Sequence, residues 1–216
     1  MVNRAPLAGI ITTFIFLSGF TMGFFWDSMR SNAIEQELNR LSVYSTSLLI
    51  ESQLIDTTTC DAFWPILKDA LGDLGDSMKT YVSYTESSVS NIDYSNLLYK
   101  KYLLSNIRYW MFTEKYKQTC GWNVSTVIFF FDDDCDGECD AMSTRLDYLK
   151  RKYDNDVLIF PINLWLAQDD PVANSLAILY NVTELPKLVI DGKVFGALEL
   201  NDLEALVCST VNCDKY

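Results

Sequence analysis

Two cysteines, Cys135 and Cys139, stand four positions apart in the run Phe-Phe-Phe-Asp-Asp-Asp-Cys-Asp-Gly-Glu-Cys-Asp over residues 129–140, and six of the nine residues from Asp132 to Asp140 are acidic. Thiols and carboxylates in this pattern support three kinds of chemistry. A cysteine at the start of a helix faces unpaired N–H groups and the positive end of the dipole, which favours its thiolate, and a second cysteine one turn along can attack a mixed disulfide and release the product. Alternatively, Asp132, Asp134, Asp136 and Gly137 occupy the first, third, fifth and sixth places of a calcium loop. The twelfth place is Ser143 where a bidentate glutamate belongs, and an apolar strand pattern precedes the run where a helix should. That leaves a looser cation site on Asp132, Asp134 and Asp136. The third reading is a solvated acidic turn closed by a disulfide.

The acidic surroundings discriminate among these chemistries. Each nearby carboxylate raises the cost of a thiolate, and together they oppose the helix effect. A poorly stabilised thiolate favours the disulfide, so an active pair here would act as a reductant or isomerase rather than a strong oxidant. The chain contains no histidine, which excludes imidazole bases and zinc sites with a histidine ligand. Its net charge of −12 excludes a basic nucleic-acid-binding face.

The remaining four cysteines, Cys60, Cys120, Cys208 and Cys213, read as structural. Six cysteines allow about 15 connectivities. Locality suggests Cys60 with Cys120, closing a long loop, and Cys208 with Cys213, clipping the C-terminus.

The elements that must position these groups follow from the apolar pattern. Residues Ala5 to Trp26 carry no charge and, as a helix, are long enough to cross a membrane. They read as an uncleaved N-terminal anchor, oriented N-in, with the cysteine-bearing part in an extracytoplasmic, oxidising compartment. Ile34, Leu38, Leu41, Leu48 and Ile55 keep a heptad spacing, read as an amphipathic helix on its own domain. Further helices are expected over Asp61–Tyr84 and Tyr94–Lys117. Strands follow at Thr126–Phe131 and Asp156–Asn163, with a helix between them from about Ala141 to Tyr153. Asp170-Pro171 signals a helix through Tyr180. Pro186–Ile190 and Lys193–Leu198 form a hairpin about Asp191-Gly192, and Asn201 or Asp202 is placed to cap a last helix through Val207.

This β-α-β-α-β-β-α order, with a cysteine pair between the first strand and its helix, resembles the thioredoxin superfamily over roughly Val124–Val207. The segment Val182-Thr-Glu-Leu-Pro-Lys-Leu-Val-Ile-Asp-Gly192 is similar to that family's proline-containing turn. The resemblance implies a cis Pro186 beside the cysteines, with Leu185 and Pro186 contacting substrate, Cys135 as nucleophile and Cys139 as resolving thiol. The C-x3-C spacing departs from the usual C-x2-C. It is shared by membrane-tethered copper chaperones, which also use a histidine; here two thiolates alone would have to hold Cu(I).

The sequence therefore predicts a transmembrane anchor (1–26), a helical stalk or bundle (27–117) and an α/β thioredoxin-like domain (118–216). The corresponding function is a membrane-anchored, extracytoplasmic thiol-disulfide oxidoreductase of reductase or isomerase type. It needs no cofactor beyond a redox-active disulfide, acts on protein thiols or disulfides, and draws electrons from a membrane redox partner. The alternative is a non-catalytic thioredoxin-fold binding module with structural disulfides, or a calcium- or copper-binding protein.

Overall fold

A computed structural model describes residues 13–23, 59–87 and 91–215. The chain divides into two units, Met1–Ile50 and Glu51–Tyr216. In the first, residues 13–23 form helix α1 with exposed side chains. No helix among the described residues is long and apolar enough to cross a membrane. This corrects the anchor expected over Ala5 to Trp26. The single-pass N-in topology and the attachment to a membrane, both inferred from it, are corrected with it. The rest of that segment, and the heptad residues Ile34 to Ile55, lie outside the described residues.

The second unit is built on a four-stranded sheet of order β2-β1-β3-β4. Strand β1 (Ser125–Phe131) pairs in parallel with β2 (Val157–Asn163) and antiparallel with β3 (Lys187–Ile190), which pairs antiparallel with β4 (Lys193–Phe195). A central strand buried on both faces needs no polar alternation, and β1 has none. Val127 and Phe129 face one core cluster while Ile128 and Phe130 face another. Helix α4 (Asp136–Tyr153) supplies Met142, Leu146 and Leu149 to the first cluster, joined by Leu203 and Val207 of α6 (Leu200–Cys208). Helix α5 (Pro171–Leu179) covers the other face with Ala173 and Leu176. The Asp170 carboxylate caps it, accepting from the N–H groups of Val172 and Ala173.

Helices α2 (Cys60–Thr85) and α3 (Ile92–Cys120) complete that second face. Tyr99, Leu103 and Ile107 of α3 pack on Ile128, Phe130 and Ile162. Phe63, Leu67 and Ala70 of α2 join Phe112, Leu158 and Phe160 in a third cluster. The two helices are pinned by the Cys60–Cys120 disulfide and by Arg108, which is buried and donates to Asp73 (2.5 Å) and Asp69 (3.5 Å). Gly121 ends α3 in the left-handed region at φ 68°, its N–H donating to the Lys117 carbonyl.

Strand β2 is an edge, and the helices close most of it. The Tyr99 hydroxyl accepts from the Asn163 N–H (3.0 Å) and donates to its carbonyl (3.1 Å). Asn106 donates to the Pro161 carbonyl and Lys150 to that of Val157. Pro161, having no N–H to offer, suits the edge as well.

Several boundaries differ from the sequence expectation. Helix α4 begins at Asp136, inside the acidic run, rather than near Ala141. Strand β4 ends at Phe195 rather than Leu198. The cap of α6 is Glu199, not Asn201 or Asp202. The cause lies in tertiary contacts: Leu198 and Leu200 pack against the first cluster, and Arg145 holds Glu199 at 3.0 Å while donating to the Leu198 carbonyl. The helix therefore starts earlier than its best capping side chains.

Candidate functional site

The cysteine pair lies where β1 gives way to α4. Cys135 occupies the N-cap position and Cys139 the first turn, its N–H directed at the Cys135 carbonyl (3.4 Å). The two are joined as a disulfide with Cα atoms 5.6 Å apart. Cys139 is only 6% exposed and belongs to the first core cluster, with Cys135 packed half-buried at its margin. The disulfide thus closes the turn between strand and helix and anchors it in the core.

The acidic residues preceding it are held by local hydrogen bonds. The Asp132 carboxylate accepts the Asp134 N–H at 3.1 Å. Asp133 accepts from the side-chain amide of Asn163 at 2.8 Å, and the Asn163 carbonyl oxygen on the same side chain accepts from the Leu166 N–H. Asn163 is in turn fixed by Tyr99. Burial pushes the Tyr99 phenol well above its ordinary range, outweighing its hydrogen bond with the Asn163 backbone, so it serves as a neutral donor and acceptor. Beside the disulfide, Phe129, Phe131, Asp132, Asp133, Cys139, Asp140 and Ser143 line a mouth of about 340 Å³. No cation lines it.

The peptide bond between Leu185 and Pro186 is cis. Lys187 is registered opposite Phe130, which puts Pro186 at the same end of the sheet as the last residue of β1. Pro186 is buried, and Leu185 packs partly buried against the second cluster. The structure therefore brings Cys135, Cys139 and Pro186 to one end of the sheet. The other four cysteines lie elsewhere, as Cys60–Cys120 and Cys208–Cys213 disulfides.

The cation alternative finds no support in this geometry. Among the described residues, no group of three or more cysteines or carboxylates is placed to hold a metal ion. The side chain of Asp136 lies outside the described residues. For Cu(I), both sulfurs of the pair are already bonded to one another. Sequence reasoning missed Tyr99 and Asn163, which carry the acidic turn. Nothing local marks a tyrosine within a Tyr-rich helix as the partner of a strand end 64 positions away.

The strand order, the mixed pairing, the cis Pro186 and a C-x3-C disulfide at the start of α4 together describe a mixed α/β, roughly thioredoxin-like fold. No family model and no curated protein matches the chain. Among the solved structures similar to part of it are two related to the malaria parasite. One, described as a malarial protein, is 24% identical with a TM-score of 0.34, over 41% of this chain and 99% of its own. The other is thioredoxin-2 of the malaria parasite, described as a component of its protein secretion machinery. It is 26% identical with a TM-score of 0.33, over 40% of this chain and 84% of its own. Likeness at that level carries no functional conclusion.

Proposed function

We propose that the chain is a thioredoxin-like binding module whose three disulfides are structural. This replaces the membrane-anchored oxidoreductase expected from the sequence, which loses its anchor. The observation that carries the reading is the setting of Cys139. Its sulfur is bonded to Cys135, it sits in the core, and an opening beside it is lined by Asp132, Asp133 and Asp140, with no cationic side chain among the described lining residues. Exchange requires a thiolate, and a carboxylate-lined, cation-free opening disfavours one. The disulfide is then a lasting staple for the β1–α4 turn, and the surfaces around it are free to bind.

A disulfide-exchange assay tests this. The full chain and its Cys135→Ser/Cys139→Ser variant are incubated with a fluorogenic disulfide peptide in glutathione buffer. Both are expected to match the uncatalysed rate. Turnover by the native chain that the variant lacks would overturn the proposal.

A further inference from the structure

The edge of β2 carries a second cleft that continues into the acidic mouth. It lies between α2, α3, the sheet and α4, with Leu74, Met78, Tyr102, Ile159, Pro161 and Leu146 among its walls, and its volume is about 340 Å³. It shares Phe129, Phe131 and Ser143 with the mouth, so the two form one trough, apolar at one end and acidic at the other. Charge along it is uneven. Lys150 is the one cation among the described lining residues, and its ammonium already donates to the carbonyls of Asp154 and Val157. Asp147 pairs with Arg151 at 2.8 Å. Asp132, Asp133 and Asp140 are in no ion pair among the described residues. Burial pushes the Tyr102 phenol up to about 12, so that wall is neutral.

The backbone adds a second feature. The Tyr99 bonds to both the N–H and the carbonyl of Asn163 show that the odd-numbered residues of β2 point away from β1, because backbone direction alternates along a strand. The outward carbonyls of Val157 and Pro161 are also occupied. Ile159 lies between them and lines the cleft. Its outward N–H and carbonyl have no partner among the described residues.

We propose that this cleft takes an extended segment of a partner protein, with an apolar side chain in the trough, its backbone paired to Ile159, and a lysine or arginine at the acidic mouth. The proposal rests on the binding-module reading and names its partner. Each feature selects this occupant. An open N–H and carbonyl on a strand edge pair with an extended chain, whereas a helix has its own groups bonded internally. Unpaired carboxylates at one end attract a cation, and a second copy of this chain would arrive with a net charge of −12 of its own. The apolar walls supply affinity through burial, and the backbone pair to Ile159 sets the register.

The test is fluorescence anisotropy on the full chain with a labelled short peptide of alternating leucine and lysine. Saturable binding is expected. It should weaken about tenfold when leucine amides are N-methylated, and be lost when lysines become glutamates or leucines become glycines. Ser143→Arg places bulk and positive charge at the junction of the two ends from an exposed helix position. It should also weaken binding about tenfold, while Ser175→Arg, the same charge change on α5 across the sheet, should stay within about twofold. Absent binding, equal binding of the leucine-free peptide, or indifference to Ser143→Arg overturns the proposal. So does self-association abolished by Ser143→Arg, which would put a second copy in the cleft. Disulfide turnover is scored separately: a chain that exchanges disulfides yet binds the peptide loses only the non-catalytic reading, and one that does neither loses only the cleft.

Discussion

Asp191 shows how much a single residue can hold. It sits at the β3–β4 turn with φ 47°, followed by Gly192 at φ 80°, the pair of positive angles a tight two-residue hairpin needs. Its carboxylate accepts from Lys117 (2.6 Å), Ser125 (2.9 Å), the Thr126 N–H (3.0 Å) and Thr210 (2.8 Å). One side chain thus joins the end of α3, the start of β1 and the segment after α6. Burial alone would raise its pKa, but the hydrogen bonds from Lys117, Thr126 and Thr210 outweigh burial and hold it below the usual carboxylate range. A folded-state value below the unfolded one, about 3.9, stabilises the protein above that pH, and the contribution is lost as pH falls through the folded value. Asparagine tolerates the left-handed backbone, so Asp191→Asn isolates the charge. We expect a loss of about 2 kcal/mol at neutral pH, measured by urea unfolding, and a gap that narrows on acidification. An equal loss at every pH would show that the charge contributes nothing. The Asp-Gly turn was legible in the sequence, whereas its partners come from 19 to 74 positions away and no local pattern announces them.

At the level of elements, helices and strands were read well where periodicity and turn chemistry decide, as at Asp170-Pro171 and Asp191-Gly192. They were read less well where tertiary contacts decide, as at Glu199, or where a covalent bond does. Helix α4 extends back to Asp136 through a run of acidic residues, and the Cys135–Cys139 disulfide spans that first turn. The two disulfides that restrain these helices should differ in weight. Cys60–Cys120 spans 60 positions and Cys135–Cys139 only four. If disulfides act by restricting the unfolded chain, removing the first should cost about 4 kcal/mol and removing the second about 2 kcal/mol. Paired Cys→Ser variants compared by urea unfolding check the ordering. A larger loss from the short loop would mean that the staple acts mainly on the native turn rather than on the unfolded chain.

For the molecule as a whole, the sequence offered a division into stalk and domain at residue 118, because helical and strand patterns meet there. A change of pattern marks a change of secondary structure, but it does not say which surfaces the helices cover. In the structure, α3 lays Tyr99, Leu103 and Ile107 on Ile128, Phe130 and Ile162 of the sheet, and Tyr99 closes the β2 edge. On that face α5 contributes only Ala173 and Leu176 to the buried cluster, too little to cover β1 and β2 alone. A fragment starting at residue 118 would expose that apolar face and leave the outward N–H and carbonyl of Asn163 without the Tyr99 hydroxyl, each loss unfavourable. A fragment starting at residue 59 keeps α2, α3 and the Cys60–Cys120 link. We expect the longer fragment to unfold in one cooperative urea transition, with far- and near-ultraviolet circular dichroism coinciding, and the shorter one to lack a near-ultraviolet transition. Cooperative unfolding of the 118–216 fragment would instead establish the helical pair as a separable unit and the sheet as a domain complete without it.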